Sequence, residues 1–253
     1  MEAVSLVLED VSAGFKGRTV LSGVNLTASS GEVLVFAGPN GGGKTTLLKT
    51  AAGFLKSLSG RVLLGGRDLA SMSGREKAAR LSFLFQGQAA LWPFTVEEFV
   101  LQGRSPHRGF LAPDKNADRA AAAKAVAAAG LSGYEDRAVT ELSGGEFQRV
   151  LIARAMAQAT PLVLMDEPIN NLDPKYQFVM MDLIRAMAGS GLAVVLSLHD
   201  LTLAGAYADR VALLCGGKIA ALGKPGEVLR EDILTRVFEI PQGCQKFVLP
   251  RGL

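Results

Sequence analysis

The chain has 253 residues, of which 49% are hydrophobic, and its 27 basic and 24 acidic residues leave a net charge of +3. A chain of this size can bury a large core, and so small a charge gives no reason to expect nucleic-acid binding. We expect a soluble chain, because no basic secretory signal is visible and no apolar run approaches the roughly 18 residues of a membrane span. Cys215 and Cys244 lack metal-ligand spacing, which predicts free thiols in a reducing compartment.

The N-terminal part of the sequence predicts strands joined by turns. Apolar and polar residues alternate over residues 4–10 (VSLVLED), as they do in a half-buried strand. Residues 32–37 (EVLVFA) form a more apolar run that ends at Gly38. Glycine pairs at 65–66 and at 216–217 interrupt short apolar runs and predict two antiparallel hairpins.

The middle of the chain, from about Gln86 to Thr160, predicts helices. The alanine-rich run 119–131 is a strong helix former that ends at Gly130. Two short apolar strands follow, at 161–165 and 192–198, and a predicted helix separates them. Strand–helix–strand alternation indicates a parallel sheet buried on both faces, so we predict an α/β core with an inserted helical subdomain.

Residues 38–45 (GPNGGGKT) fit the complete phosphate-binding pattern G-x-x-x-x-G-K-[ST], between a predicted strand and a predicted helix. Glycines allow consecutive backbone N–H groups to form an anion-binding nest at the positive end of the helix. We expect Lys44 to contact the β- and γ-phosphates and the Thr45 hydroxyl to bind Mg²⁺. The alternative is a glycine-rich turn that binds nothing. The candidate nucleotide-binding residues are Gly38, Pro39, Asn40, Gly41, Gly42, Gly43, Lys44, Thr45 and Thr46.

Two carboxylates end the predicted strand in PLVLMDEP, residues 161–168. A strand buried on both faces presents functional side chains at its carboxyl end, where ligands of α/β proteins bind. Asp166 is placed there to bind Mg²⁺, and Glu167 to polarise an attacking water as a general base. The alternative is an ordinary acidic turn between a strand and a loop.

Further segments carry a family resemblance. They are LSGGEFQRVLIARAMA at 142–157, NNLD at 170–173 and LSLHD at 196–200. With the two motifs above, they make the chain similar to ATP-binding cassette (ABC) ATPases from about Val4 to Phe238. The resemblance implies a P-loop NTPase cassette with a mixed, mostly parallel sheet in its core, an antiparallel β subdomain and an inserted α-helical subdomain. It divides a single domain, 1–253, into core and β subdomain at about 1–85 and 161–253 and a helical subdomain at about 86–160.

The LSGGE stretch has the features of a second anion site, because small residues expose N–H groups at the start of a helix. One chain would then carry two phosphate sites. The family resolves this with head-to-tail dimers, in which Ser143 of one copy closes over the ATP held by Lys44 of the other. The resemblance also implies that Asp173 helps to couple the two sites. The residues assigned to this second set are Ser143, Gly144, Gly145, Glu146 and Asp173.

Three single residues gain a role only through the resemblance. His199 alone is more often a satisfied core or surface group, but the family places it against the γ-phosphate and Glu167. Gln86 matches the glutamine that joins Mg²⁺ to the helical subdomain. Phe15 matches the aromatic that stacks on adenine, with a core aromatic as the alternative. All catalytic positions of the family, Lys44, Gln86, Glu167 and His199, are occupied by the expected residue types.

Residues 95–110 (TVEEFVLQGRSPHRGF) resemble cassettes that serve iron–siderophore, haem and cobalamin uptake. The resemblance implies the ATPase subunit of a metal-chelate importer, bound as a dimer to an integral-membrane permease dimer on the cytoplasmic side of the inner membrane. A substrate-binding protein would deliver the cargo, and no nucleic acid would take part. Leu91, Trp92 and Phe94 either contact the permease or belong to the subdomain core. The alternatives are another small-solute importer and a soluble ABC ATPase of cofactor assembly.

Overall fold

The computed structural model describes residues 6–15, 17–108 and 113–240. Of the two predicted free thiols, Cys215 is free and half-buried, and Cys244 lies outside the described residues. Among the described helices, none combines the length and the apolar character that crossing a membrane requires.

The larger sheet of the described chain has six strands in the order β10-β9-β3-β8-β7-β6. The neighbours from β9 to β6 pair in parallel, and β10 pairs antiparallel with β9 through the predicted glycine hairpin at 216–217. Its strands are β3 (Val33–Ala37), β6 (Leu81–Leu84), β7 (Leu162–Met165), β8 (Ala193–Ser197), β9 (Arg210–Cys215) and β10 (Lys218–Gly223).

The central strands are buried on both faces, which explains their continuous apolar sequences. In β3, Val33 and Val35 pack into a core shared with helices, while Leu34 and Phe36 pack into a second core on the opposite face. Strands β7 and β8 alternate between the same two cores. Because side chains alternate along a strand, each of these strands contributes to both cores.

The smaller sheet has four strands in the order β2-β1-β4-β5, and its pairs are antiparallel. Residues from β1 and β2 share the second core with β3 and with the first helix. The glycine pair at 65–66 connects β4 to β5 as a hairpin, as predicted from the sequence. The strands are β1 (Leu6–Phe15), β2 (Arg18–Ala28), β4 (Ser57–Leu64) and β5 (Arg67–Asp68).

Local capping explains where several helices begin. Thr95 and Ser143 each start a helix with a capping box, and proline occupies the first position of the helix that begins at Pro174. The described helices are α1 (Lys44–Ala51), α2 (Gly74–Ala78), α3 (Val96–Leu101), α4 (Asn116–Ala128), α5 (Gly144–Ala157), α6 (Pro174–Gly189), α7 (Leu201–Tyr207), α8 (Pro225–Val228) and α9 (Glu231–Phe238).

Helices α3, α4 and α5 lie between β6 and β7 in the chain and pack on one another. Of the resembling segment 95–110, residues 109–110 lie outside the described residues, and the part at 95–108 is tied to the end of α5. Arg104 Nη1 donates to the Ala157 carbonyl oxygen at 2.8 Å, and His107 Nε2 donates to that of Gln158 at 2.6 Å. A Cβ on Gly103 would lie 2.3 Å from the Arg154 carbonyl oxygen, so only glycine fits there. The division into subdomains at about 86 and 160 stays a prediction.

Parallel order places the carboxyl ends of β3, β8 and β7 side by side at one edge of the sheet. The loop after β3 begins at Gly38, the chain after β7 begins at Asp166, and β8 ends at Ser197. Strand β6, next to β7, leads to Gln86. The fold therefore gathers residues that are far apart in sequence, from Gly38 to Ser197.

Candidate functional site

The glycine-rich loop packs closely against neighbouring strands. Gly38 has φ of 137°, and a Cβ there would lie 2.1 Å from the carbonyl oxygen of Leu214 in β9. A Cβ on Gly42 would lie 2.9 Å from the same oxygen, and one on Gly43 2.7 Å from the Leu21 side chain. The sequence motif predicted phosphate binding as the reason for these glycines; close packing against β9 and β2 is a second reason for them.

Lys44 is buried at the start of α1 and folds back over its own loop. Its Nζ donates to the carbonyl oxygens of Gly38 at 2.7 Å and Pro39 at 3.1 Å. Burial lowers the pKa of Lys44, and the nearby carboxylates of Glu167 and Asp166 partly oppose that shift. The loop thus presents one ammonium group beside two carboxylates.

Asp166 is the centre of a hydroxyl network at the end of β7. It is only 2% exposed, and its Oδ1 accepts hydrogen bonds from Thr45 at 3.1 Å and Ser197 at 2.8 Å. Thr45 and Asp166 were both predicted to bind Mg²⁺, whereas Ser197 was not among the predicted site residues. Hydroxyl and carboxylate oxygens are the ligands that a hard cation such as Mg²⁺ prefers.

Glu167 has a left-handed backbone, with φ of 49°, which is unusual for a residue other than glycine. Three side chains converge on its carboxylate. Gln86 Nε2 donates to Oε2 at 2.5 Å, Asn170 Nδ2 donates to the same oxygen at 2.7 Å, and His199 Nε2 bonds Oε1. Asn170 was not among the predicted site residues. Strained backbone at a charged, multiply bonded residue is typical of functional sites.

The start of α5 forms a separate polar cluster. Ser143 Oγ accepts from the Glu146 backbone N–H and donates to its Oε2 at 2.8 Å, and Tyr134 donates to Oε1 at 2.9 Å. Hydrogen bonds to its carboxylate from the Ser143 hydroxyl, the Ser143 backbone N–H and the Tyr134 hydroxyl lower the pKa of Glu146 to about 2. Ser143 and Gly144 are exposed, whereas a Cβ on Gly145 would lie 2.9 Å from the Tyr176 ring. This helix start is therefore open to solvent at Ser143 and Gly144.

Two other predicted residues lie away from these hydrogen bonds. Phe15 ends β1 and is 51% exposed, so its ring is available to a flat ligand and is not a core aromatic. Asp173 is the exposed residue before α6, and its side chain caps no N–H group. The candidate site of one chain is thus a compact cluster around Lys44, Asp166 and Glu167, with outlying residues on the surface.

Comparison with known families is decisive. Residues 21–170 match the family model described as ABC transporter. The chain belongs to the ABC transporter family. As an ABC cassette it binds ATP and hydrolyses it, so the predictions of the fold, of ATP as the nucleotide and of ATPase activity are confirmed.

Individual relatives are similar over most of this ABC cassette. The hemin import ATP-binding protein HmuV of Streptomyces coelicolor is 45% identical over 225 residues, covering 89% of this chain and 80% of that protein. HmuV of Rhodococcus jostii is 42% identical over 256 residues, covering 98% and 87%.

Solved structures agree with the sequence relatives. A chain of an ABC transporter assigned to the metal-chelate type, in an inward-facing conformation, has a TM-score of 0.83 at 27% identity, covering 94% of this chain and 90% of that one. The dimeric cassette MJ0796 of a bacterial ABC transporter has a TM-score of 0.74 at 28% identity, covering 87% and 98%.

The low pKa of Glu146 predicts a pH-dependent contribution to the stability of the cassette. Its folded pKa of about 2 lies below the ordinary 4.5, so the contribution is present above pH 4.5 and is lost as the pH falls towards 2. Glu146→Gln should therefore lose less melting temperature than the wild type between roughly pH 5 and 3. A similar capping box lowers the pKa of Glu76 to about 2, so Glu76→Gln provides a second, independent test of the same effect. If the melting temperatures of the variant and the wild type fell equally as the pH was lowered, the prediction would be contradicted.

Proposed function

We propose that this cassette powers the uptake of haem or a closely related iron chelate through a partner permease. Both named relatives are hemin import ATP-binding proteins, and the first structural neighbour belongs to a transporter assigned to the metal-chelate type. The sequence resemblance to chelate importers rests on the segment 95–110, whose described part, 95–108, is anchored to the end of α5 by Arg104 and His107. ATP hydrolysis by the cassette would supply the energy for this transport.

The convergence of three polar side chains on Glu167 is the observation that carries the catalytic assignment. A carboxylate held by Gln86, Asn170 and His199 keeps one orientation, as a general base needs. We assign Glu167 to accept a proton from the attacking water, and His199 to hold that carboxylate and contact the γ-phosphate. Lys44 neutralises the β- and γ-phosphates, and hydrogen bonds to two loop carbonyls already position its ammonium group.

Mg²⁺ fits the oxygen-rich side of this cluster. The hydroxyl of Thr45 and the carboxylate of Asp166 lie together, and Gln86 reaches the neighbouring Glu167. These three residues would hold the ion, which needs few protein ligands because it retains waters and phosphate oxygens. When bound, Mg²⁺ supplies positive charge that neutralises the triphosphate. The candidate metal residues are thus Thr45, Gln86 and Asp166.

A second copy would complete the nucleotide site. The exposed start of α5, at Ser143 and Gly144, offers a serine hydroxyl and the positive end of a helix, both suited to phosphate. MJ0796, similar over 87% of this chain, is a dimeric cassette, which supports a dimer here. We propose for that dimer the head-to-tail arrangement that the family resemblance implies. In that arrangement Phe15 stacks on adenine, Gly145 and Glu146 support the closing helix, and Asp173 lies where the two copies meet.

An exposed aromatic surface suits the permease. Trp92 is 69% exposed and Leu91 80%, which favours the partner-surface alternative for this loop over the core alternative. A separate aromatic cluster is formed by Phe54 after α1, Phe83 on β6 and Phe85 after β6, whose rings meet edge-to-face or tilted with centroids 4.5–5.2 Å apart. We place the cassette at the cytoplasmic face of the inner membrane as a peripheral subunit. A substrate-binding protein would deliver cargo to the permease without touching this chain.

Reconstitution tests the cargo. The cassette and the permease with which it co-purifies would be placed in liposomes, with ATP on the cassette side. Haem, a ferric siderophore and cobalamin would each be offered through the matching binding protein. We expect ATP-dependent uptake of haem or an iron chelate. Uptake confined to cobalamin or to an unrelated solute, or failure to co-purify with any polytopic protein, would overturn the proposal.

A paired substitution tests the docking surface in the same preparation. Trp92→Ser should reduce the amount of permease that co-purifies, because its large apolar surface would lose its partner. Its turnover without permease should stay near that of the wild type, since Trp92 makes no described contact with the Lys44 cluster. Phe178→Ser, a 53% exposed aromatic on α6, is the matched control and should leave permease capture unchanged.

A further inference from the structure

We infer that Ser197 is a positioning residue that holds Asp166 and Glu167 in register for hydrolysis. The inference rests on the roles proposed above for those two carboxylates. Ser197 is the last residue of β8 and is fully buried. It lies in the LSLHD segment, residues 196–200, in which the family resemblance assigned a role only to His199.

One hydroxyl makes two different hydrogen bonds. Ser197 Oγ donates to Asp166 Oδ1 at 2.8 Å and accepts from the Glu167 backbone N–H at 2.9 Å. A hydroxyl can do both at once because it is one donor with two acceptor lone pairs. The side chain therefore connects the end of β8 to both carboxylate residues that follow β7.

The bond to Glu167 compensates for a break in sheet pairing. The register of β7 with β8 ends at Met165 opposite Leu196, and Glu167 then turns into the left-handed region. The N–H group of Glu167 lies beyond the last β7–β8 pair and would be unpaired without the Ser197 hydroxyl. Because this N–H anchors the turn, it also sets the direction in which the Glu167 carboxylate leaves the backbone.

The bond to Asp166 selects an orientation of the other carboxylate. Ser197 and Thr45 donate to the same oxygen, Oδ1, from β8 and from α1. Two donors on one oxygen restrict rotation of the carboxylate and keep it beside the Thr45 hydroxyl. Loss of one such supporting partner typically costs about 10–100-fold in metal affinity or activity.

The experiment compares two buried serines. Ser197→Ala removes both hydrogen bonds, whereas Ser82→Ala removes a hydroxyl on β6 that is equally buried and has no hydrogen-bond partner among the described residues. We expect Ser197→Ala to lower kcat about 10–100-fold with KM for ATP changed less than about threefold. Ser82→Ala should keep both values near those of the wild type.

A binding measurement separates positioning from general damage. Trinitrophenyl-ATP would be titrated with and without Mg²⁺. In Ser197→Ala we expect the Mg²⁺-free affinity to be unchanged and the strengthening by Mg²⁺ to be reduced by a similar factor. Equal effects of Ser197→Ala and Ser82→Ala on turnover or on Mg²⁺-dependent binding would overturn the inference.

Ser197→Thr and Ser197→Val provide the rescue test, since they differ by a hydroxyl in place of a methyl group. The Thr variant should turn over about 10–100-fold faster than the Val variant. Equal turnover would overturn the inference, as would a result in which only hydroxyl-bearing variants fold. Glu167→Gln, assayed in parallel, separates failure of the proposed site from failure of the role of Ser197. Normal turnover in Glu167→Gln would refute the site assignment, whereas normal turnover in Ser197→Ala alone would refute the role of Ser197.

Discussion

Glu167→Gln should bind ATP about as well as the wild type and lose about 10²–10⁴-fold in steady-state turnover. The amide has nearly the shape of the carboxylate and can still accept a hydrogen bond, but it cannot take a proton from water. Glu167 lies in a strained turn and is held by Gln86, Asn170 and His199, so the substitution changes the chemistry more than the geometry. Phosphate release at saturating ATP and equilibrium ATP binding are the two measurements.

The same variant should accumulate an ATP-bound dimer, because hydrolysis is what reopens the closed state. Size-exclusion chromatography with ATP and Mg²⁺ would show it. Glu97→Gln makes the same chemical change at a partly exposed position on α3, where the carboxylate pairs with Arg119, and should leave both properties unchanged. Near-normal turnover in Glu167→Gln would remove this residue from the base role, and His199 or another group would have to supply it.

Residues that are adjacent in sequence, or that end buried strands, could be predicted without a structure. The loop from Gly38 to Thr45 is one continuous motif, and the edge at which Asp166 appears follows from the parallel order of apolar strands. The helical middle of the chain and both glycine hairpins were likewise evident from periodicity and turn residues. These features depend on local pattern and on one topological rule.

Contacts that depend on strand register could not be predicted in that way. Ser197 reaches Asp166 because Met165 lies opposite Leu196, and a one-residue shift would turn Ser197 to the other face of the sheet. Asn170 bonds Glu167 only because the backbone turns at φ 49°. The exposure of Trp92, for which the sequence left core and surface open, likewise depends on where the loop after β6 packs.

Mixing two inactive variants should restore hydrolysis if each ATP lies between two copies. Lys44→Ala removes the ammonium group from the cradle of its own chain. Gly144→Asp adds a carboxylate at the exposed start of α5, where a Cβ meets no neighbour within 4 Å. The acid suits the positive helix end, so α5 should remain folded, but it repels a triphosphate docked from the other copy. Each variant alone should therefore be inactive as a homodimer.

In a mixed dimer the two lesions fall on the same composite site, and the other site keeps both Lys44 and an intact Gly144. Random pairing makes half of the dimers mixed with one complete site each, so turnover should recover to about a quarter of the wild type. Gly144→Ala, which adds only a methyl group, is the matched control and should be active by itself. A dimer with only one complete site could turn over slowly. The same mixture is therefore also prepared with Glu167→Gln in both chains, and its retention of labelled ATP reports the complete site without hydrolysis. If both sites were built within single chains, every chain in the mixture would still carry its own lesion, and neither turnover nor retention would rise above the level of the separate variants.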